Sequence, residues 1–394
     1  MDLYTLNPNF LDKDVVDEYV SAIWTERYSE AGDCQLVVPA TADNIVKLKE
    51  GTFLALRGSK EVMILETQSI EKGLMTVVGK TLPIFLNNRA VWFKNPAFTG
   101  GAATDRIVDY TDATKKPGQF IADVVDKMVI NPVAFPSGGS PNYFPANLDW
   151  ANDKIPFLSL GAVDASGVVK RLTAPVGPLY DAISNLAKQE DVGFSLYLQS
   201  ANPDTGYVLK FTTYKGVDRT SSGPGNLVRL TRDLDGIQDI KEVNSVSKYK
   251  NVAYVYYKGE ISIHYAEPSL PIPEGFDRRI MVVNPEGEPV ARSSYQASWG
   301  YGSSYAVYYV GPADIAAFRE QAARDALANN NYIHAIDGQT SPITDYVYGV
   351  DYSLGDTIEL EGYTGNLTKA KITEYIRSED ATGEKAYPTI SVIE

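Results

Sequence analysis

Short runs of alternating apolar and polar positions dominate the opening 95 residues, and alternation of that period sends successive side chains to opposite faces of a strand. Val15, Tyr19, Ile23 and Trp24 form one apolar-rich run and Leu36-Val37-Val38 the next, with Glu30-Ala31-Gly32-Asp33 between them as a turn. Pro39 ends the second strand. Thr41 is placed to cap a short helix carrying Ile45 and Leu48, and Gly51 stops it. Further strands are predicted over Phe53 to Arg57, Val62 to Ile70 and Leu74 to Val78.

From Val91 to Gly236 the texture changes to frequent glycine, proline and asparagine, as in the run from Phe135 to Asn142, and the pattern predicts an inserted domain with long loops. Two helical periods interrupt it. One starts near Pro117 and carries Phe120, Ile121, Val124, Val125 and Met128; the other starts near Pro178 and carries Leu179, Ile183, Leu186 and Ala187. A hairpin follows, Phe194 to Leu198 and Tyr207 to Phe211, across Asn202-Pro203-Asp204-Thr205-Gly206.

Strand patterns resume at Ile237 to Val246 and Val252 to Tyr257, a helix spans Ala313 to Asn329 with Ile315, Phe318, Ala322 and Leu327, and strands close the chain at Thr357 to Leu360, Ala370 to Ile376 and Thr389 to Ile393. Both ends share a layout in which a glycine and a strand (Gly51 to Leu56; Gly355 to Leu360) precede an Ile-x-Glu strand (Ile64 to Glu66; Ile372 to Glu374). The longer spacing in the second copy matches the loop Gly362 to Gly365. This layout reads either as two unrelated β segments of a large α+β protein or as two copies of one barrel-like module; on the second reading the fold class expected is α+β and β-rich, with two barrel-like domains, 1–90 and 237–394, flanking an α+β insertion at 91–236.

Composition narrows the chemistry. The net charge of −14 opposes attraction to nucleic-acid phosphates. A single cysteine, Cys34, permits no intrachain disulfide and no zinc finger. The first residues hold no basic leader followed by an apolar run, and no stretch reaches the roughly 20 apolar residues that span a bilayer, so neither secretion by a signal peptide nor stable membrane insertion is expected. His264 and His334 stand 70 positions apart without a metal or nucleophile motif, and glycine clusters such as Gly300-Tyr301-Gly302 lack a phosphate-loop context. Acidic pairs such as Asp109 with Asp112, or Asp233 with Asp235, are numerous enough in a chain of 50 acidic residues to be solvated turns. No catalytic residue, cofactor or metal ligand is expected. The 26 tyrosines suit half-buried sheet faces and protein contacts.

The run Ile23-Trp24-Thr25-Glu26-Arg27-Tyr28 alternates large aromatic and charged groups, with Trp24, Glu26 and Tyr28 on one strand face and Ile23, Thr25 and Arg27 on the other. Its charges are expected to pair at a rim, as suits a subunit interface. The segment Val15 to Ala40, with this core followed by Gly32-Asp33 and a second strand, resembles the opening of minor tail or tail-hub (baseplate hub) proteins of long-tailed phages of actinobacteria. Cys34 stands where the resemblance would put phenylalanine. Asp351 to Asp356 is similar to the family's closing element, so Gly355 and Asp356 join Trp24, Glu26, Arg27, Tyr28, Gly32 and Asp33 as signature and interface candidates.

The resemblance implies a homotrimeric ring at the distal end of a tail tube, in which two similar modules per chain offer six near-equivalent positions to a six-fold tube. It implies as partners a distal tail protein, a tape-measure protein and tip-fibre or other minor tail proteins, with DNA only as passing cargo. The implied location is the tail tip of the virion, reached from the host cytoplasm during assembly. The chain stops at Glu394, about 40 residues after Leu354-Gly355-Asp356, and no appended lytic domain is expected. Other readings are a receptor- or carbohydrate-binding tail module and, further off, a carbohydrate-active enzyme, which would need two carboxylates facing across an aromatic cleft.

Overall fold

The computed structural model describes the chain except at residues 9, 92, 95–106, 133–152, 156, 203–205, 232–236, 286, 290, 292, 299–303, 341–345, 362–366 and 393–394. The loop from Phe135 to Asn142, the pair Asp233 and Asp235, the Gly300-Tyr301-Gly302 cluster, the Pro203-Asp204-Thr205 turn and the loop Gly362 to Gly365 lie outside the described residues. Two compact units divide the chain: Met1–Ile240 with Ile336–Glu394, and Lys241–Ala335.

In the larger unit seven strands come from the N-terminal segment: β1 (Leu3–Leu6), β2 (Asp12–Val16), β3 (Ser21–Arg27), β4 (Asp33–Pro39), β5 (Phe53–Leu56), β6 (Val62–Glu71) and β7 (Leu74–Thr81). They lie in the order β3-β4-β7-β6-β5-β1-β2. Beyond β3 the same sheet continues through Leu367–Asp380, Thr357–Glu361 and Arg229–Leu230, while Gly383–Val392 also pairs with Leu367–Asp380, making 11 strands. The junction is antiparallel, with Arg27 opposite Glu374 and Ala22 opposite Glu379.

This pairing moves the boundaries expected at 90/91 and 236/237. The closing strands are hydrogen-bonded partners of the opening ones, and residues 241–335 form a unit of their own. Alternation shows that a segment is a strand but not which edge it will join, so the closing strands read equally well as a separate domain. The expected run from Val15 to Trp24 is also two strands: β2 pairs with β1, leaving Val15 exposed, and β3 starts at Ser21.

The sheet carries apolar side chains on both faces. In β5 and β6, Leu54, Leu56, Met63 and Leu65 enter one core with Trp24, Leu36, Val38, Met75 and Val77. Ala55 and Val62, on the opposite face, enter another with the inserted segment. That second core is built by α2 (Pro117–Val125), α3 (Leu179–Glu190) and the hairpin Gly193–Asn202 with Gly206–Tyr214, through Phe120, Val124, Ile183, Phe194 and Phe211. The insertion therefore shares its core with the sheet. A third core collects Tyr28, Val228, Leu230, Tyr352, Leu354, Ile358, Leu360 and Ile372 under the closing strands.

Local signals explain the helices. Before α1 (Ala42–Lys47), the Thr41 hydroxyl accepts from the Asn44 N–H at 3.1 Å, and Gly51 takes the positive φ of 81° that ends the turn. Pro117 starts α2, which runs on into a single wide turn, Asp126–Ile130.

The smaller unit centres on Val252–Tyr257, flanked by Glu260–Tyr265 antiparallel and Ile280–Val283 parallel. Onto one face of this sheet α4 (Pro312–Ala328) lays Ala323 and Leu327, against Ala253, Val255, Met281 and Val283. Ile237–Ser245 and Ile333–Thr340 pair with each other as a two-stranded sheet.

Candidate functional site

Signature residues some 330 positions apart meet at Tyr28, which is only 4% exposed. Gly355 has a φ of 86°, and a Cβ there would collide with the Tyr28 ring; a Cβ at Gly193 would strike the same ring. Glycine is required at 355 on both counts, conformation and space. The Tyr28 hydroxyl donates to the Asp191 carbonyl at 3.1 Å, and its ring meets Tyr214 edge-on at 5.5 Å. Burial, first, and the charge of Asp191 push its phenol well above the ordinary range, so it stays a neutral donor.

Four ion pairs tie segments of the chain together in the larger unit. Arg27 pairs with Asp33 across the β3–β4 turn, and its Nε donates to Glu374 at 2.5 Å on the closing strand. Within that turn a Cβ at Gly32 would collide with the Thr25 carbonyl, and the Gly32 N–H donates to Thr81 at 2.8 Å. Asp356, 2% exposed, accepts from the Val217 N–H at 2.7 Å, the Ser353 N–H at 3.0 Å and Arg219 Nε at 2.5 Å. Glu359 accepts from Ser221 and Arg229. Burial would raise the Glu359 carboxyl, but the Ser221 hydrogen bonds and the Arg229 charge outweigh it and hold it below its ordinary value.

Glu26, expected at a rim, is interior at 7% exposure. As a central strand β3 is covered on both sides, and Glu26 is satisfied by Trp24 Nε1 at 3.3 Å, Ser59 Oγ at 2.7 Å and the Tyr348 hydroxyl at 3.0 Å. Trp24 itself, 1% exposed, sits in the core beneath β1–β7. Beside Glu26 lies Glu61, which accepts from Ser195 Oγ at 2.5 Å. Cys34 is buried, and burial pushes its thiol up to about 12, which makes it an unreactive core residue.

These groups position chain segments. Carboxylate pairs that cleave sugars need room for water and substrate between them, whereas Glu26 is bonded to Tyr348 and Ser59 and Glu61 to Ser195. Among the described residues no group of three or more His, Cys, Asp or Glu side chains could hold a metal, and no helix is long and apolar enough to cross a membrane. His264 shares a 2.9 Å hydrogen bond with Ser262, and burial lowers its pKa.

Sequence reasoning missed Glu61, Arg219, Arg229, Tyr348 and Glu359. Their side-chain partners lie 130 to 322 positions away, and only the charge of Glu61 at the head of the apolar run Val62 to Leu65 hinted at an interior group.

The large sheet closed by buried clamps has the fold of phage tail proteins. The 43 kDa tail protein of prophage MuSo2 from Shewanella oneidensis aligns over 100% of this chain and 98% of its own, with a TM-score of 0.50 at 14% identity. A tail protein from Neisseria meningitidis (TM-score 0.49, 12% identity, 100% and 96% covered) and prophage tail protein gp18 from Listeria monocytogenes (0.47, 11%, 100% and 95%) are also similar. No curated protein matches in sequence. The chain belongs to the Siphovirus ReqiPepy6 Gp37-like protein family, whose profile matches residues 2–262.

Proposed function

We propose that this chain is the hub at the tail tip of a long-tailed phage of actinobacteria, a homotrimeric ring that ends the tail tube. It joins the tube to the distal tail protein, the end of the tape-measure protein and the tip-fibre proteins, and opens a passage for DNA. It acts by geometry and performs no catalysis. The observation that carries this reading is the sheet with one core under β1–β7 and another under the closing strands, either side of β3. These two cores support two barrel-like modules per chain, the second built from residues 336–394 rather than from all of 237–394. Of the signature residues, Arg27 and Asp33 keep side-chain exposures of 25% and 40%, the surface a subunit contact would use.

Gold-labelled antibody against the chain, imaged on intact virions, tests this reading. Label at the distal end of the tail is expected; label along the tube or at the head contradicts it.

One observation favours a second reading, a receptor- or carbohydrate-binding tail module. The smaller unit exposes Tyr256, Phe276, Tyr295, Tyr308 and Tyr309, aromatic surface of the kind that stacks on sugars. Saturable binding of host cell-wall polysaccharide, lost when these residues are changed to serine, would favour it over the hub alone.

A further inference from the structure

Glu61 sits where the inserted hairpin meets the main sheet. Its backbone bridges to Tyr197 on Gly193–Asn202, and Ser195 of the same strand donates to its Oε1 at 2.5 Å. On the sheet side its N–H donates to Ser59 Oγ at 3.0 Å, and Ser59 in turn donates to Glu26 at 2.7 Å. The Glu61 backbone and the Glu26 carboxylate are thus linked through one serine. The Oε2 atom of Glu61 is buried and has no hydrogen-bond partner, although other parts of the residue reach solvent. An ionised oxygen left so would carry the cost of desolvation with nothing to offset it.

The groups facing this pair are nearly all neutral or acidic. Trp24 and Glu26 come from β3, Tyr28 follows it, Tyr214 comes from the inserted hairpin, and Tyr348, Tyr375 and Arg377 come from the C-terminal segment. Arg377, the cation among them, lies over the rings of Tyr375 and Tyr348 at 5.4 and 6.0 Å, with those rings stacked 3.7 Å apart.

We propose that Glu61 is a proton-held latch between the inserted hairpin and the main sheet: it carries a proton when the contact is closed, and losing that proton loosens the contact. The step is a simple ionisation, in which the carboxyl O–H gives its proton to water and leaves a second negative charge beside Glu26. Burial, and then the charge of Glu26, raise the Glu61 carboxyl to about 8 against an ordinary 4.5, with the Ser195 hydrogen bond opposing them. Because the folded pKa is the higher one, the closed form holds a proton that the open form releases. The contact is tightest below about pH 4.5, weakens as pH rises from there, and levels off above about 8.

The test is a carboxyl 13C titration of the full chain labelled at glutamate, together with amide hydrogen exchange of residues 193–202 between pH 5 and 9, corrected for intrinsic rates. One carboxyl should titrate near pH 8 and vanish in Glu61→Gln. The opening constant of the hairpin should rise about tenfold per pH unit below that midpoint, and this slope should disappear in the variant. If every glutamate titrates near its ordinary value, or if wild type and Glu61→Gln show parallel exchange profiles, the latch is overturned. Should Glu61→Gln fail to fold, the titration of the unaltered chain decides alone, a midpoint near 8 on a carboxyl assigned to Glu61 supporting the latch and one near 4.5 refuting it.

Discussion

The two compact units handle apolar side chains in opposite ways. The larger one seals them into three cores, two of them reached from distant parts of the chain, and buries Trp24, Phe120, Phe194 and Phe211 almost completely. In the smaller unit one modest cluster, Ala253, Val255, Ala323 and Leu327, covers a single sheet face. The opposite face leaves Tyr256, Ile261, Ile263, Ile280 and Val282 in solvent, and Phe276 is exposed in full. Burial of apolar area is the main source of stability, so the larger unit should hold its own fold while the smaller one has little in reserve. One chain thus combines a deeply packed unit with one that leaves apolar surface uncovered.

The largest effect expected on this contrast comes from Trp24→Ala, which should cost the larger unit about 3–5 kcal/mol in urea unfolding. An unchanged midpoint would mean that β3 does not anchor the core. Gly355→Ala follows at about 2–3 kcal/mol, because its methyl group meets the Tyr28 ring at a positive φ; thermal unfolding measures it, and a neutral outcome would separate the two signature blocks. Leu327→Ala should cost about 2 kcal/mol and act locally. Hydrogen exchange of residues 252–257 should speed up while residues 34–38 stay protected, and equal acceleration in both would erase the contrast. Smallest is Phe276→Ser, expected to shift the melting transition by less than about 0.5 kcal/mol; a larger loss would show that this ring is packed after all.

Much of the frame was legible before any coordinates. The period-2 runs gave β3 to β7, Gly32 marked the β3–β4 turn, and Pro117 marked the start of α2. Trp24 and Glu26 do share a side, as the hydrogen bond between them shows. What could not be read was long-range register. Nothing local to Leu367–Asp380 says that it pairs with β3, so the closing strands looked like a domain, and Glu26 looked like a rim residue when Tyr348 in fact covers it. The Glu61 carboxyl was hidden for the same reason, since Ser195 lies 134 positions away. Alternation reports exposure of a strand's faces; pairing depends on energies summed over the whole sheet.

An electron-microscopy map of the intact tail tip, at a resolution that traces chains, tests the hub assignment. Three copies of this chain should encircle the distal end of the tube, with two barrel-like modules from each facing the tube. Asp and Glu should outnumber Lys and Arg on the inward wall, because a net charge of −14 per chain allows an acidic lumen along which the DNA phosphates slide without binding. Density for the chain away from the tail axis, or a copy number other than three, would contradict the hub assignment, and a net basic wall would contradict the sliding passage.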